Sequence, residues 1–168
     1  MRRMAWVMVA ACAVAARAEA QQGISVAVGA SMPIGALEQQ AGTGLNLSLR
    51  QEGALPWAQL DYRVDIGLER FSGKGASSSL QYTSFSFNVV QWPSRSLYYF
   101  GGLGLYNSQT TRSTDRFGRS GSNAGVQGGV GYVYESSDYL PFVEMGLTNL
   151  FSGGDNAPWF SVRAGVHF

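Results

Sequence analysis

The sequence predicts an all-β fold, an eight-stranded antiparallel up-and-down β-barrel. Three observations predict it. Apolar residues recur at every second position through eight runs, no stretch after Gln21 has the spacing of an amphipathic helix, and the connections between runs alternate between long and short. Side chains that alternate between two faces indicate strands. Alternating connections place tight turns at one end of a barrel and larger loops at the other.

The composition fits such a barrel in a membrane. Charged residues make up only 14% of the 168 residues, while aromatic residues reach 12% and glycine occurs 22 times. The mean hydropathy of −0.04 is too low for a bundle of membrane helices. It suits transmembrane strands, in which every second side chain is polar. The nearly balanced charge gives no reason to expect nucleic-acid binding.

The first 20 residues are predicted to be a secretory signal peptide, with residues 21–168 forming the barrel domain. Two arginines precede an apolar run from Met4 to Ala16, and Ala18-Glu19-Ala20 has the small-x-small pattern of a cleavage site. The only cysteine, Cys12, lies inside this segment, so a mature chain without it has no disulfide. Val9-Ala10-Ala11-Cys12 also resembles a lipoprotein box, and removal and lipidation of Cys12 both stay open.

The first three runs span Gly23 to Ala30, Gly44 to Gln51 and Ala58 to Arg70. The first has Ile24, Val26, Val28 and Ala30 on one face, and the second has Leu45, Leu47 and Leu49. The third is the clearest: Leu60, Tyr62, Val64, Ile66 and Leu68 alternate with Asp61, Arg63, Asp65, Gly67 and Glu69. About eleven residues of such alternation are enough for a tilted strand to cross a bilayer.

The later runs span Leu80 to Gln91, Ser96 to Asn107, Ser122 to Glu135, Tyr139 to Leu150 and Pro158 to Phe168. The last run places Phe160, Val162, Ala164, Val166 and Phe168 on one face. The predicted large loops are Met32 to Thr43, Phe71 to Ser79, Ser108 to Gly121 and Phe151 to Ala157. With an even number of strands, both chain ends lie on the side of the short turns.

Two orientations of the barrel wall are consistent with the alternation. A soluble barrel of the lipocalin type would turn the apolar face inward, whereas a membrane barrel turns it toward lipid. The second is favoured because Lys74 is the only lysine in the chain and aromatic residues cluster near strand ends, as in membrane-interface girdles. The predicted girdle comprises Trp57, Trp92, Tyr99, Tyr132, Tyr134, Tyr139 and Trp159.

The terminal strand ending in Phe168, with Val166 and Phe160 on the same face, resembles the last strand of small bacterial outer-membrane β-barrels of the OmpA and OmpX type. The stretch Gly29 to Gly35 adds a weaker similarity. The resemblance implies a Gram-negative outer-membrane location with periplasmic N- and C-termini. It also implies outer-membrane lipid, lipopolysaccharide and the barrel assembly machinery, which reads the C-terminal strand, as partners.

If the polar faces point inward, buried charges of both signs are expected to pair across the lumen. The predicted network, which would close the lumen, comprises Arg50, Asp61, Arg63, Asp65, Glu69, Glu144 and Arg163. Three loop arginines, Arg112, Arg116 and Arg119, are candidates for contact with lipopolysaccharide phosphates. The alternative is that they only keep the loop soluble.

A structural or surface-interaction role through the extracellular loops is the predicted function. A narrow porin-like channel is an alternative, because inward Gly102, Gly104, Gly129 and Gly131 would leave free volume unless neighbouring aromatic rings fill it. A lipid-modifying enzyme is disfavoured, since the only histidine, His167, lies at the periplasmic end, where no outer-rim Ser-His pair can form. No metal site or cofactor motif is found, and the sequence does not indicate the extracellular ligand.

Overall fold

Eight antiparallel strands close into one barrel in the computed structural model, which describes residues 23–55, 58–74, 79–110, 121–135, 140–152 and 155–168. The strands are β1 (Gly23–Pro33), β2 (Ala41–Leu55), β3 (Leu60–Gly73), β4 (Leu80–Gln91), β5 (Leu97–Thr110), β6 (Gly121–Val133), β7 (Leu140–Ser152) and β8 (Asp155–His167). A short 3-10 helix, η1 (Leu37–Gln39), lies between β1 and β2. The predicted fold class is confirmed.

Each strand pairs with its neighbours in the chain, and β1 pairs with β8 to complete the ring. This last seam runs from Ser25 opposite His167 to Pro33 opposite Trp159. Beyond it, the Phe168 amide donates a hydrogen bond of 2.8 Å to the Ile24 carbonyl. We call the end that holds Gly23 and Phe168 the terminal end, and the opposite end, near η1, the loop end.

The apolar face of every strand points away from the barrel axis. Leu45 is 74% exposed and Leu103 is 69% exposed, and both lie within strands rather than in loops. Asn46, beside Leu45, and Gly104, beside Leu103, lie on the other face and are buried. This is the orientation of a membrane barrel, in which lipid-facing apolar residues alternate with polar residues toward the lumen.

Several strands are longer than the alternation predicted. The predicted loop from Phe71 to Ser79 begins with three strand residues, and the predicted loop from Phe151 to Ala157 is wrong. There, β7 and β8 stay paired as far as Ser152 opposite Asp155. Backbone pairing depends on amide and carbonyl groups, so it continues through polar residues and glycine after the apolar alternation has ended.

Among the described residues, no helix has the length and apolar character needed to cross a membrane. The predicted signal peptide, Cys12, Trp57 and Tyr139 lie outside the described residues.

Candidate functional site: the charged lumen

Glu144 lies at the centre of the barrel interior and is 1% exposed. Its carboxylate accepts two hydrogen bonds from Arg50, Nη1 to Oε2 at 3.0 Å and Nη2 to Oε1 at 2.9 Å. Arg63 Nη1 donates to Oε2 at 2.8 Å, and the Tyr98 hydroxyl donates to the same oxygen at 3.0 Å. Arg163 Nη1 lies 3.6 Å from Oε1. One carboxylate on β7 therefore joins side chains from β2, β3, β5 and β8.

Asp65 forms a second centre on the β3–β4 side of the lumen. Arg63 Nε donates to its Oδ2 at 3.2 Å, and Asn88 Nδ2 donates to the same oxygen at 2.7 Å. Gln127 extends this group to β6, because its Nε2 donates to Asn88 Oδ1 and to Ser86 Oγ, each at 2.8 Å. Asp65 thus has hydrogen-bond donors from both charged and neutral partners.

Glu69 forms a third centre, closer to the loop end. Ser31 Oγ donates to Glu69 Oε2 at 2.6 Å, and Asn46 Nδ2 donates to Ser31 Oγ at 2.9 Å. On β8, which pairs with the β1 strand that carries Ser31, Arg163 Nη2 donates to Ser161 Oγ at 3.1 Å. We refer to Arg50, Arg63, Asp65, Glu69, Glu144 and Arg163 together as the charged layer.

The six side chains of the charged layer are buried, with residue exposures of 7% or less. Isolated charges would be very costly in such a place, and burial is tolerable only when charges are paired and hydrogen-bonded. Two arginines also lie over aromatic rings, Arg63 at 4.1 Å from the centre of Phe100 and Arg50 at 5.0 Å from that of Phe142. Cation–π attraction adds to their stabilisation in this desolvated site.

An apolar cluster packs inside the barrel on the loop side of the charged layer. Trp159 is fully buried there, stacked on Tyr82 with ring centres 5.5 Å apart and edge-on to Phe71 at 5.6 Å. Leu37 of η1 is also fully buried in this group. We call it the loop-end cluster; its members are Leu37, Ala41, Phe71, Leu80, Tyr82, Tyr106, Leu150, Ala157 and Trp159.

A second apolar cluster lies on the terminal side of the charged layer. It comprises Ala27, Val90, Tyr98, Phe100, Val133 and Phe142, with Trp92 packed against it. Three of the inward glycines are covered by aromatic rings: Tyr98 lies over Gly131, Phe100 over Gly129 and Tyr106 over Gly104. The volume that these glycines leave is therefore filled by side chains.

Beyond this second cluster, the terminal end opens into a pocket of about 560 Å³. Asp61 is half-buried and lines this pocket, apart from the charged layer with which it was grouped in the prediction. Glu52 also lines it, with its carboxylate 4.0 Å from Arg63 Nη1. His167 lies at the same end, its ring 4.6 Å from that of Phe142.

Several residues of the lumen are not among the predicted ones. Glu52 belongs to β2, although the predicted second run ends at Gln51, and Tyr98, Asn88 and Gln127 are partners that the charge pattern does not indicate. Trp159 was wrongly placed in the outer girdle. It shares its face of β8 with Ser161 and Arg163, and this two-residue spacing was the signal that could have placed it inside.

The remaining candidates lie on the outer wall or outside the described residues. Phe160, Val162 and Phe168 face away from the lumen, and Phe168 is 66% exposed. Tyr99, Tyr132 and Tyr134 are exposed, as a girdle requires. Arg112, Arg116 and Arg119 lie outside the described residues. Within the described ranges, no group of three or more His, Cys, Asp or Glu side chains is arranged to hold a metal ion.

No protein-family model matches the chain, and no curated protein matches it. Several solved structures do match the chain. The outer membrane protein Ail of Yersinia pestis in a phospholipid bilayer nanodisc has a TM-score of 0.58 at 15% identity, over 88% of this chain and 100% of that one. Neisserial surface protein A has a TM-score of 0.63 at 14% identity, over 88% and 96%.

The N-terminal β-barrel domain of Pseudomonas aeruginosa OprF has a TM-score of 0.58 at 12% identity, over 88% of this chain and 100% of that one. The three barrels share the strand arrangement with this chain but little sequence. The chain therefore has the fold of the small eight-stranded outer-membrane β-barrels of the OmpA and OmpX type, as the sequence predicted.

Proposed function

We propose that the chain is an integral outer-membrane β-barrel protein with a closed lumen, which serves a structural or surface-interaction role through its extracellular loops. The observation that carries the proposal is the charged layer, which links β2, β3, β7 and β8 across the barrel interior through Glu144. The loop-end cluster and the terminal-end cluster lie on either side of it. Packing of this kind among the described residues supports a lumen that side chains fill, as an eight-stranded barrel allows.

The outward apolar face supports the membrane location, and so does the likeness to Ail, an outer membrane protein whose structure was solved in a phospholipid bilayer nanodisc. In this proposal the terminal end faces the periplasm and the loop end faces outside, as expected for barrels with an even number of strands and short periplasmic turns. The terminal strand with Phe160, Val166 and Phe168 is the segment that the barrel assembly machinery would bind.

The closed lumen is tested by planar-bilayer recording and liposome swelling with the refolded chain. No large, stable openings and no swelling with small sugars are expected. A matched variant lacking both Arg50 and Glu144 keeps the net charge and shows whether the assays detect a weakened lumen. Large, stable openings of the unmodified chain would instead support the porin-like alternative.

The orientation is tested with an epitope inserted into the connection between β5 and β6, and the same epitope in the turn between β4 and β5. Antibody should label intact cells only in the first case. Labelling of the second insertion alone would reverse the proposed orientation, and labelling of neither in a heat-modifiable, folded protein would exclude an exposed β5–β6 loop.

We also propose lipopolysaccharide as a partner of the loop arginines Arg112, Arg116 and Arg119. Guanidinium groups form charge-assisted hydrogen bonds with phosphate. Charge reversal of all three should weaken binding to lipopolysaccharide, whereas reversal of Arg95, in the turn at the other end, should not. Unchanged binding after the triple reversal would remove this partner and leave the arginines a solubilising role.

The proposed role is not enzymatic. The only histidine, His167, lies at the terminal end, far along β8 from the loop end where Trp159 is located. A serine–histidine site for lipid chemistry at the outer rim therefore has no histidine to use.

A further inference from the structure

One charged side chain lies on the outer wall of the barrel. Arg70, near the loop end of β3, is exposed and points away from the lumen, whereas its neighbours Glu69 and Phe71 point inward and are buried. Among the strand residues whose side chains the structure describes, Arg70 is the only charged residue at an outward position. A charge at such a position is unusual, because the outward face of a membrane barrel is otherwise apolar.

Arg70 lies where the lipid-facing part of the wall ends. The outward residues that precede it on β3 are all aliphatic or aromatic: Leu60, Tyr62, Val64, Ile66 and Leu68. The outward residues also become polar toward the loop end on the two following strands, at Thr83 and Gln81 on β4 and at Asn107 and Gln109 on β5. At this boundary the long side chain of an arginine reaches the level of the lipid headgroups.

The strand register places two amide side chains in a row with Arg70. Arg70 is paired with Gln81 on β4, and Gln81 is paired with Gln109 on β5. Arg70 and Gln109 are exposed and Gln81 is partly exposed, so the outer side of the wall is open at all three. Side chains at directly paired positions have Cβ atoms about 4.5–5.5 Å apart. A group as small as a phosphate therefore contacts Arg70 and Gln81 together, with Gln109 beside them.

The protein supplies no counter-charge for Arg70 within the part of the chain that the structure describes. None of the ion pairs there includes Arg70. Glu38, at the same end of the barrel, lies 3.8 Å from Lys74. The residue paired with Arg70 on β2 is Leu45, which is 74% exposed on the lipid-facing wall. The row thus presents a guanidinium group and two amides to the membrane without a neutralising carboxylate.

The chemistry of this row matches a phosphate monoester. A guanidinium group donates to two phosphate oxygens at once, and glutamine amides donate to phosphate or to sugar hydroxyls. A phosphate monoester carries a charge of about −1.5 to −2 near neutral pH and three acceptor oxygens. A carboxylate of a soluble protein fits less well, because Leu45 and Leu68 beside Arg70 face lipid.

We propose that Arg70, Gln81 and Gln109 form a binding site for the phosphorylated sugar headgroup of lipopolysaccharide. In this site Arg70 binds the phosphate, Gln81 donates a further hydrogen bond to it, and Gln109 contacts the sugar. The site rests on the proposed function, which names lipopolysaccharide as a partner. It adds a contact on the barrel wall that is separate from the loop arginines.

The test is a titration of the folded barrel in detergent with lipid A, the phosphorylated lipid part of lipopolysaccharide, with bound lipid measured by native mass spectrometry. The loop arginines Arg112, Arg116 and Arg119 are replaced by glutamine in every sample, so that they do not contribute. Arg70→Gln should then weaken lipid A binding roughly tenfold or more, as expected for loss of a charge-assisted contact. Arg95→Gln is the matched control, because it removes the same charge from the exposed turn between β4 and β5. It should leave the affinity unchanged.

Three further probes define the ligand. Dephosphorylated lipid A and phosphatidylglycerol, whose phosphate is a diester, should bind more weakly than lipid A. Inorganic phosphate at the same concentration should not displace lipid A. The proposal is overturned if Arg70→Gln binds lipid A as tightly as its parent, if either lipid probe binds as tightly as lipid A, or if inorganic phosphate displaces lipid A.

If Arg70→Gln does not fold, the chain with Arg70 in place still decides. The NMR resonance of the Arg70 Nε proton should shift when lipid A is added, and an unchanged resonance would overturn the site. A detergent micelle has no inner and outer leaflet, so the result does not depend on the proposed orientation, which the epitope insertions test. Loss of binding on reversal of the loop arginines with no effect of Arg70→Gln would remove the wall site and leave the proposed partner in place.

Discussion

Arg50 and Glu144 form a two-pronged ion pair across the barrel interior, although they lie 94 positions apart in the chain. Both guanidinium Nη atoms contact the carboxylate, one at 3.0 Å and the other at 2.9 Å. Parallel N–H···O bonds of this kind add geometric specificity to the charge attraction. The pair connects β2 to β7, which are not neighbours in the sheet.

Glu144→Gln should destabilise the barrel by about 3–5 kcal/mol, because it leaves buried arginines without their shared carboxylate. Urea titration in lipid vesicles, followed by tryptophan fluorescence, measures the free energy of unfolding. Met145→Leu is the control, since Met145 is the next residue on β7, faces outward and keeps its apolar character. Equal stability of the two variants would mean that the charge pairs add nothing to the folded barrel.

The destabilisation caused by an arginine substitution on the outer wall should depend strongly on how deep the residue lies in the bilayer. Leu47→Arg, near the middle of β2, is expected to cost about 2–4 kcal/mol, whereas Met32→Arg, close to the end of β1, should cost about 0–1 kcal/mol. Both residues are outward and about half exposed, at 49% and 45%. The same vesicle titration compares them, and equal costs would contradict a lipid-facing wall.

Leu37→Ala should destabilise the loop-end cluster by about 2–5 kcal/mol, the range for removing a buried leucine side chain. Leu37 is fully buried, whereas Ile34, in the same connection, is 41% exposed. Ile34→Ala is therefore the control. Quenching of tryptophan fluorescence by iodide should rise in the first variant as Trp159 gains contact with water, and unchanged quenching would show that η1 does not cover the cluster.

Gly131→Ala should be destabilising because a Cβ atom there would overlap the Tyr98 ring. Tyr98 would have to move and lose its hydrogen bond to Glu144. Gly101→Ala is the control, because its added carbon would meet nothing closer than 3.9 Å. Adding Tyr98→Ala should remove most of the penalty of Gly131→Ala, and a double-mutant cycle with no coupling would contradict this contact.

The faces of the strands are predictable from the sequence because side chains alternate with a period of two. That period places Arg50, Arg63, Asp65, Glu69, Glu144 and Arg163 on the same side as the small and polar residues of their strands. It does not tell which of them meet. The contact between Arg50 and Glu144 depends on strand tilt and register around the closed barrel, and these follow from pairing that no single run contains.

The aromatic residues show where pattern reasoning fails. Tyr99 and Trp159 both lie in aromatic stretches near strand ends, yet Tyr99 is 49% exposed and Trp159 is fully buried. Aromatic side chains suit a membrane interface and a packed interior equally well, because each has a large apolar surface and tyrosine and tryptophan carry one polar group. Their position in the alternation, rather than their type, separates the two cases.

The ion pair between β2 and β7 also constrains how the chain enters its membrane. Before the seam between β1 and β8 forms, an open curved sheet would hold Arg50 and Glu144 apart. Each of these two charged side chains would then be exposed to hydrocarbon or to a water-filled defect in the bilayer, and both situations cost free energy. Insertion of the strands and pairing of β1 with β8 are therefore expected to be concerted. Only the closed barrel brings Arg50 and Glu144 close enough to neutralise each other.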